Sequence, residues 1–201
     1  MVERWENAFS GYRCMPRRSL HRDTLGIRAV APEDVEAIRL WRNAQMDVLR
    51  QSAPISPAQQ EAYYAAHIWP AMALDCPQNI LLTFLEDERA IGYGGLVHIA
   101  WEHRRAEVSF LLDPVLISAP ETYARYFSVF LDLIKELAFD DLGLHRLFTE
   151  TYALRTHHIS VLEANGFRAE GLLKHHVVID GRAVDSLIHG CLASVEGRAA
   201  E

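Results

Sequence analysis

Cysteine is scarce in this chain. Cys14, Cys76 and Cys191 are odd in number and far apart, so neither a disulfide framework nor a CxxC metal site can be read from them. Reduced, mostly buried thiols are expected. No apolar run approaches the ~20 residues that span a bilayer, and the amino terminus lacks the apolar stretch of a secretory signal. A cytoplasmic protein with no membrane partner is expected. Positive charge is in the minority, with 20 Lys and Arg against 27 Asp and Glu, a net charge of -7 and a pI near 5.8. Nucleic-acid affinity comes mostly from clustered Lys and Arg, so nucleic acid is set aside as a partner. Internal repeats and low-complexity tracts are also missing.

What is present suits one core. Half of the 201 residues are apolar and 23% are charged, enough for one domain with little left for a second. Residues 1 to 24 carry Arg4, Arg13, Arg17, Arg18 and Arg22 with no hydrophobic period. They read as a basic amino-terminal arm, loose or packed on the surface. The domain is expected over 25 to 192, followed by a short tail over 193 to 201.

Within the domain the periodicity alternates between the two regular types. Leu25 to Val30 reads as a strand. Pro32-Glu33-Asp34 opens a helix to about Asn43, with Ile38, Leu40 and Trp41 on its apolar side. Ser56-Pro57 begins a second helix that runs to about Trp69. Asn79 to Leu85 and Ala90 to Ile99 form a hairpin around Glu86 to Arg89. Arg104 to Asp113 alternates strictly, with Ala106, Val108, Phe110 and Leu112 on one face and Arg105, Glu107, Ser109 and Leu111 on the other. A long helix with one apolar stripe follows, through Phe127, Phe130, Leu131, Ile134, Leu137 and Leu142, and ends at Gly143. Leu144 to Tyr152 is a strand, Thr156 to Asn165 a short helix stopped by Gly166, and two strands flank the Asp180-Gly181 turn.

That order carries the words IGYGGL (91 to 96), AEVSFLLDP (106 to 114), LAFDDLGLHRLFTETYA (137 to 153) and LEANGF (162 to 167). Together they resemble the GNAT superfamily of acetyltransferases, from Leu25 to about Leu192. The wording is similar to the branch with ribosomal-protein N-terminal acetylases and nucleotide-linked amino-sugar acetylases, and Trp41-Arg42-Asn43 with Pro54-Ile55-Ser56 leans toward the sugar side.

The resemblance implies an α/β fold with a mixed, mostly antiparallel sheet flanked by helices and splayed between strands 104 to 113 and 144 to 152. It implies acetyl-CoA as co-substrate in the splay and a primary amine of a small molecule entering from the other side. An alkylammonium with a reference pKa of ~10 must lose a proton before it attacks a thioester. Glu107 is the candidate base, against the plainer reading that it pairs a neighbouring cation. Amides near Leu111 and Leu112 are the candidate donors to the acyl oxygen. Trp41, Arg42, Asn43 and Tyr93 are the candidates for the acceptor side, with Arg42 suited to a substrate phosphate. Ser118, Tyr123, Arg125, Arg155 and His158 are the candidates for the CoA side, and a homodimer is the assembly left open.

Three departures from the family pattern stand out. The loop before the long helix, DPVLISAPETYARYF, has no glycine where the family has a glycine-rich phosphate turn. In that loop Ser118-Ala119-Pro120-Glu121 has the spacing of a capping box, which would occupy the helix-start amides that a phosphate needs. Arg155 and His158 replace the family's Asn and small residue, and Leu162 stands where a Tyr often protonates the leaving thiolate. A fold that has lost the CoA site and serves as a binding or scaffold protein is therefore a second reading, and an acetylase of protein amino termini a third. The His157-His158 and His175-His176 pairs lack the spacing of a zinc site, since adjacent residues point to different faces. Tyr63-Tyr64 and Trp69 at helical spacing could stack a sugar or a base but suit a core as well.

Overall fold

A computed structural model describes residues 11 to 194. Eight strands form one sheet in the order β1-β2-β3-β4-β5-β6-β8-β7. These are β1 Ser19–Arg22, β2 Leu25–Ala29, β3 Ile80–Glu86, β4 Arg89–Ala100, β5 Arg105–Leu112, β6 Arg146–Tyr152, β7 Arg168–Ile179 and β8 Arg182–Leu192. All neighbours pair antiparallel except β5 and β6, which are parallel. The helices are α1 Val35–Asn43, α2 Pro57–Tyr63, α3 Trp69–Ala71, α4 Pro120–Lys135 and α5 Thr156–Ala164. The expected mixed, mostly antiparallel sheet flanked by helices is the observed one.

The basic arm is the main correction to the expected boundaries. Residues 12 to 24 belong to the domain: β1 pairs β2 in full, and Tyr12, Met15 and Leu20 are buried in the core. The Tyr12 hydroxyl accepts from the Leu81 amide at 3.0 Å. Arg17 makes a two-pronged bond to Asp141 at 2.7 and 2.9 Å and reaches Glu136, which Arg22 also binds. Those arginines clamp the π-helical segment Glu136–Asp141 that continues α4. The apolar anchors are too widely spaced to show a period, so the segment read as an arm. Residues 1 to 10 and 195 to 201, including Arg4 and most of the expected tail, lie outside the described residues.

The strand β5 is buried on both faces because a helix covers each. On one side Phe110 packs on Phe127 of α4 with ring centroids 4.6 Å apart and interplanar angle 16°, and Phe130 lies at the same centroid distance. Offset stacking of this kind is a favoured aromatic geometry. Gly94 of β4, cross-strand from Phe110, lets α4 approach: a Cβ there would lie 2.7 Å from the Phe130 ring and 2.2 Å from the Ser109 carbonyl oxygen. On the other side α1 buries Ile38 and Trp41 toward the sheet, while Leu40, expected on that stripe, is 52% exposed.

The parallel pairing of β5 with β6 covers only Arg105, Ala106 and Glu107 against Arg146, Leu147 and Phe148. Beyond Glu107 the two strands part. From there β6 stays paired with β8 through Tyr152, and β5 stays paired with β4 through Leu112. This is the expected splay, a fork open on one edge of each strand.

Candidate active site

Backbone direction alternates along a strand, so one known bond orients the rest of β5. The Arg104 carbonyl accepts from the His145 amide on the β6 side. The Ser109 and Leu111 carbonyls instead approach Gly94 and Gly92 of β4. Even-numbered residues of β5 therefore turn their backbone toward the fork and odd-numbered ones toward β4. Val108 and Phe110 present amides to the opening. Leu111, expected as a donor, is turned into the sheet, a consequence of the period of two. Leu112 faces the fork side, where its carbonyl accepts from Gln45 Nε2 at 2.9 Å.

A cavity of about 750 Å³ runs from the α1–α2 connection into the fork. Of the residues expected to form a site, Glu107, Arg42, Tyr93, Arg155 and His158 line it. Glu107 lies on the face of β5 opposite Phe110 with its side chain only 11% exposed. Its Oε1 accepts from Arg50 Nη2 at 2.8 Å and its Oε2 lies 2.8 Å from His98 Nδ1. The same Arg50 nitrogen is 3.1 Å from Glu150 Oε2 of β6, whose other oxygen lies 3.3 Å from His176 Nε2. Half-burial works against the Arg50 charge, yet Glu107 and Glu150 outweigh it and its pKa is raised. His98 reaches Glu107 from a left-handed backbone, φ 51°, at the irregularity in β4, with its amide donating to Asn79 Oδ1 at 3.2 Å. His is among the few side chains that accept this conformation readily.

Arg42 donates to the Tyr93 hydroxyl at 3.0 Å and to Gln51 Oε1 at 3.2 Å. At the far end Tyr123 Oη and His158 Nδ1 are 2.6 Å apart, and Arg155 Nη2 donates to the same hydroxyl at 3.5 Å. Burial raises the Tyr123 pKa to about 12, with Arg155 opposing. Burial, aided by the Arg155 charge, lowers the His158 pKa well below 6.5, so its imidazole is neutral. With Arg155 donating to the hydroxyl, the Tyr123 proton points at Nδ1 and the remaining His158 proton is on Nε2.

Several expectations are corrected by these contacts. Trp41 is a core side chain. Asn43 is a clip: its Oδ1 accepts from the Ile55 amide and Gln51 Nε2, and its Nδ2 donates to the Ile55 carbonyl, all at 2.8 to 2.9 Å. Arg125 is committed to Glu86 at 2.9 Å and lies over the Tyr126 ring. Ser118 caps nothing, because its hydroxyl donates to the Val115 carbonyl and the N-cap of α4 is Ala119. The capping box therefore does not form, and the amides of Glu121 and Thr122 have no acceptor among the described residues. Pro57, after Ser56, begins α2 in a genuine capping box with Gln59.

The histidine pairs diverge as adjacent residues must: His157 contacts the Pro120 carbonyl while His158 faces Tyr123, and the His175 amide binds Asp185 while the His176 ring faces Glu150. Among the described residues no group of three or more His, Cys, Asp or Glu could hold a metal ion. Tyr64 is core, Trp69 packs against it, and Tyr63 is 47% exposed at the cavity wall. Arg50, Glu150, His98 and Tyr152 are cavity residues that were not among the expected site residues. Glu150 and Tyr152 sit on the regular strand β6, whereas Arg50 depends on a loop and His98 on a bulge.

The model for the acetyltransferase (GNAT) domain family matches residues 27 to 188. The chain belongs to the GNAT acetyltransferase family and is an acyl-CoA-dependent N-acetyltransferase that uses acetyl-CoA. Among solved structures, spermidine N-acetyltransferase from Vibrio cholerae in complex with CoA and spermine superimposes with a TM-score of 0.72 at 22% identity, covering 85% of this chain and 96% of that one. A dodecameric form of that enzyme in an intermediate state gives 0.69, also at 22% identity, over 85% and 95%. A chimera of the Vibrio cholerae enzyme with hSSAT gives 0.70 at 21% identity over 84% and 95%. At such identities the likeness is one of fold. No curated protein matches the sequence. Among the described residues no helix is long and apolar enough to cross a membrane.

Proposed function

We propose that this enzyme acetylates the primary amine of a small acceptor that also carries an anionic group, with nucleotide-linked amino sugars as the acceptor class. One observation carries this reading. The Arg42 guanidinium lines the cavity without a carboxylate partner among the described residues, while both cavity carboxylates, Glu107 and Glu150, share Arg50. Guanidiniums left without acids suit phosphate or carboxylate recognition. A polycation would meet carboxylates that are already neutralised.

Acetyl-CoA supplies the activated thioester carbonyl when bound. Its fit rests on the fork: Val108 and Phe110 offer amides along the open edge of β5, Glu121 and Thr122 offer amides at the start of α4, and Arg155, which reaches the Tyr123 hydroxyl, offers positive charge. Glu107 takes the proton of the acceptor ammonium, His98 holds the second carboxylate oxygen, and Arg42 with Tyr93 orients the acceptor's anionic group. His158 lines the cavity one turn before Leu162 and carries its proton on Nε2. With Tyr123 behind it, the imidazole hydrogen-bonds the departing sulfur, a role that Leu162 cannot fill. Assembly as a homodimer belongs to the same proposal and rests on the outer strand β7, whose Leu172 and Val178 are exposed.

The test is the rate of thiol release from acetyl-CoA with amines matched in size. An amino-sugar phosphate is expected to react fastest, the neutral amino sugar more slowly and 1,4-diaminobutane slowest. Arg42→Ala is expected to raise KM for the phosphate alone. If diaminobutane reacts best, the acceptor reading is wrong.

A further inference from the structure

One guanidinium nitrogen joins the two cavity carboxylates. Arg50 Nη2 is 2.8 Å from Glu107 Oε1 and 3.1 Å from Glu150 Oε2, and the other oxygen of each carboxylate faces a histidine, His98 at 2.8 Å and His176 at 3.3 Å. A single charged nitrogen donating to two converging carboxylates is the geometry that an alkylammonium would adopt. The carboxylates come from β5 and β6, one from each strand, so this nitrogen sits where the fork begins.

Arg50 itself belongs to the connection between α1 and α2. Its side chain is 47% exposed, and the loop beyond it is pinned at Gln51 and Ile55 by Asn43. Arg50 is the water-exposed member of the trio, whereas the two carboxylates, 11% and 17% exposed, are shielded and need a cation between them. The guanidinium can therefore swing out to water once another cation takes its place, while the carboxylates stay fixed by their strands.

We infer that Arg50 is a specificity-determining residue that occupies the place of the acceptor's ammonium between Glu107 and Glu150, so that an incoming amine must displace it. The inference rests on the reading of Glu107 as the acceptor-side base. It explains why a cavity with two carboxylates would still reject a simple alkylammonium: only an acceptor with an additional group for Arg42 gains enough to displace the resident cation. Removing Arg50 should convert the site to one that welcomes plain amines and diamines.

The experiment uses the full chain and reads binding rather than turnover. n-Butylammonium and 1,4-diammoniobutane are titrated calorimetrically at pH 7.5 into wild type, Arg50→Met and Arg50→Lys, with circular dichroism and melting curves to establish folding. Arg50→Met is expected to bind n-butylammonium roughly fivefold or more tightly than wild type, the gain of about 1 kcal/mol being that of one partly exposed ion pair. The dication should gain more, and Arg50→Lys should stay near wild type. Arg50→Gln replaces Arg50→Met if the latter does not fold. Equal or weaker alkylammonium binding after removal of Arg50 would overturn the inference. The two tests separate because this one compares binding by variant and wild type: diaminobutane reacting best in the panel, with affinity still gained on removal of Arg50, would sink the anionic-acceptor reading alone, and equal binding would sink this inference alone.

Discussion

The Tyr123 hydroxyl and His158 Nδ1 stand 2.6 Å apart, joining α4 to α5 at the inner end of the cavity. His158 also stacks on Phe127 at 4.4 Å, and both partners are buried. The contact couples a polar pair to the aromatic core and makes stability depend on pH. In the folded chain burial holds the His158 pKa well below the ordinary 6.5; in the unfolded chain it titrates near that value. As pH falls below 6.5 the unfolded state binds the extra proton, so stability falls, by up to about 1.4 kcal/mol per pH unit. Above that range the contribution is flat. Urea unfolding of wild type and His158→Gln between pH 7.5 and 5 checks this: the wild-type slope should exceed the variant's by nearly one proton, and parallel slopes would contradict it.

Glu107→Gln keeps the shape of the side chain and its contact with Arg50 but removes the base. Turnover should fall by about 10²- to 10⁴-fold, with acetyl-CoA affinity unchanged because the CoA contacts lie further along the fork. An unchanged rate would take Glu107 out of the mechanism.

Gly94→Ala tests how α4 is seated. The added Cβ would meet the Ser109 carbonyl oxygen at 2.2 Å and the Phe130 ring at 2.7 Å, and neither a strand backbone nor a fully buried ring yields easily. Overpacking of this kind costs about 1 to 3 kcal/mol. A lower denaturation midpoint with an unchanged slope is expected, and an unaltered midpoint would show that α4 is free to shift.

Asp34 ties the first helix to the sheet. Its carboxylate accepts from Arg28 at 2.6 and 3.0 Å, from the Thr83 hydroxyl at 2.6 Å and from the Ala31 amide at 2.9 Å, and the residue is 3% exposed. Asp34→Ala would leave the Thr83 hydroxyl and the Ala31 amide without this acceptor and the half-buried Arg28 guanidinium without its buried carboxylate, a loss of about 3 to 5 kcal/mol by analogy with other buried pairs. Chemical denaturation measures it; a change under 1 kcal/mol would mean that water replaces the carboxylate.

The regular elements were legible because their signals are local. Strict alternation announced β5, the three-and-four spacing announced α4, and Ser56-Pro57 announced α2. The site was less legible because it depends on convergence. Glu107 could be placed on a face of β5, but that the nitrogen of Arg50, 57 positions away, would meet it could not be read from spacing. Ser118-Ala119-Pro120-Glu121 shows the opposite hazard: the motif was present, yet Ser118 turned back to Val115 and left the helix start open. Asn43 had the right chemistry for a ligand and spends it on Ile55 and Gln51.

The fork between β5 and β6 is the feature on which everything else depends, and a calorimetric titration of acetyl-CoA into the full chain tests it most directly. The expected result is saturable binding of one molecule per chain that survives Glu107→Gln and weakens in Arg155→Ala. No heat and no rise in melting temperature at millimolar acetyl-CoA would contradict the account.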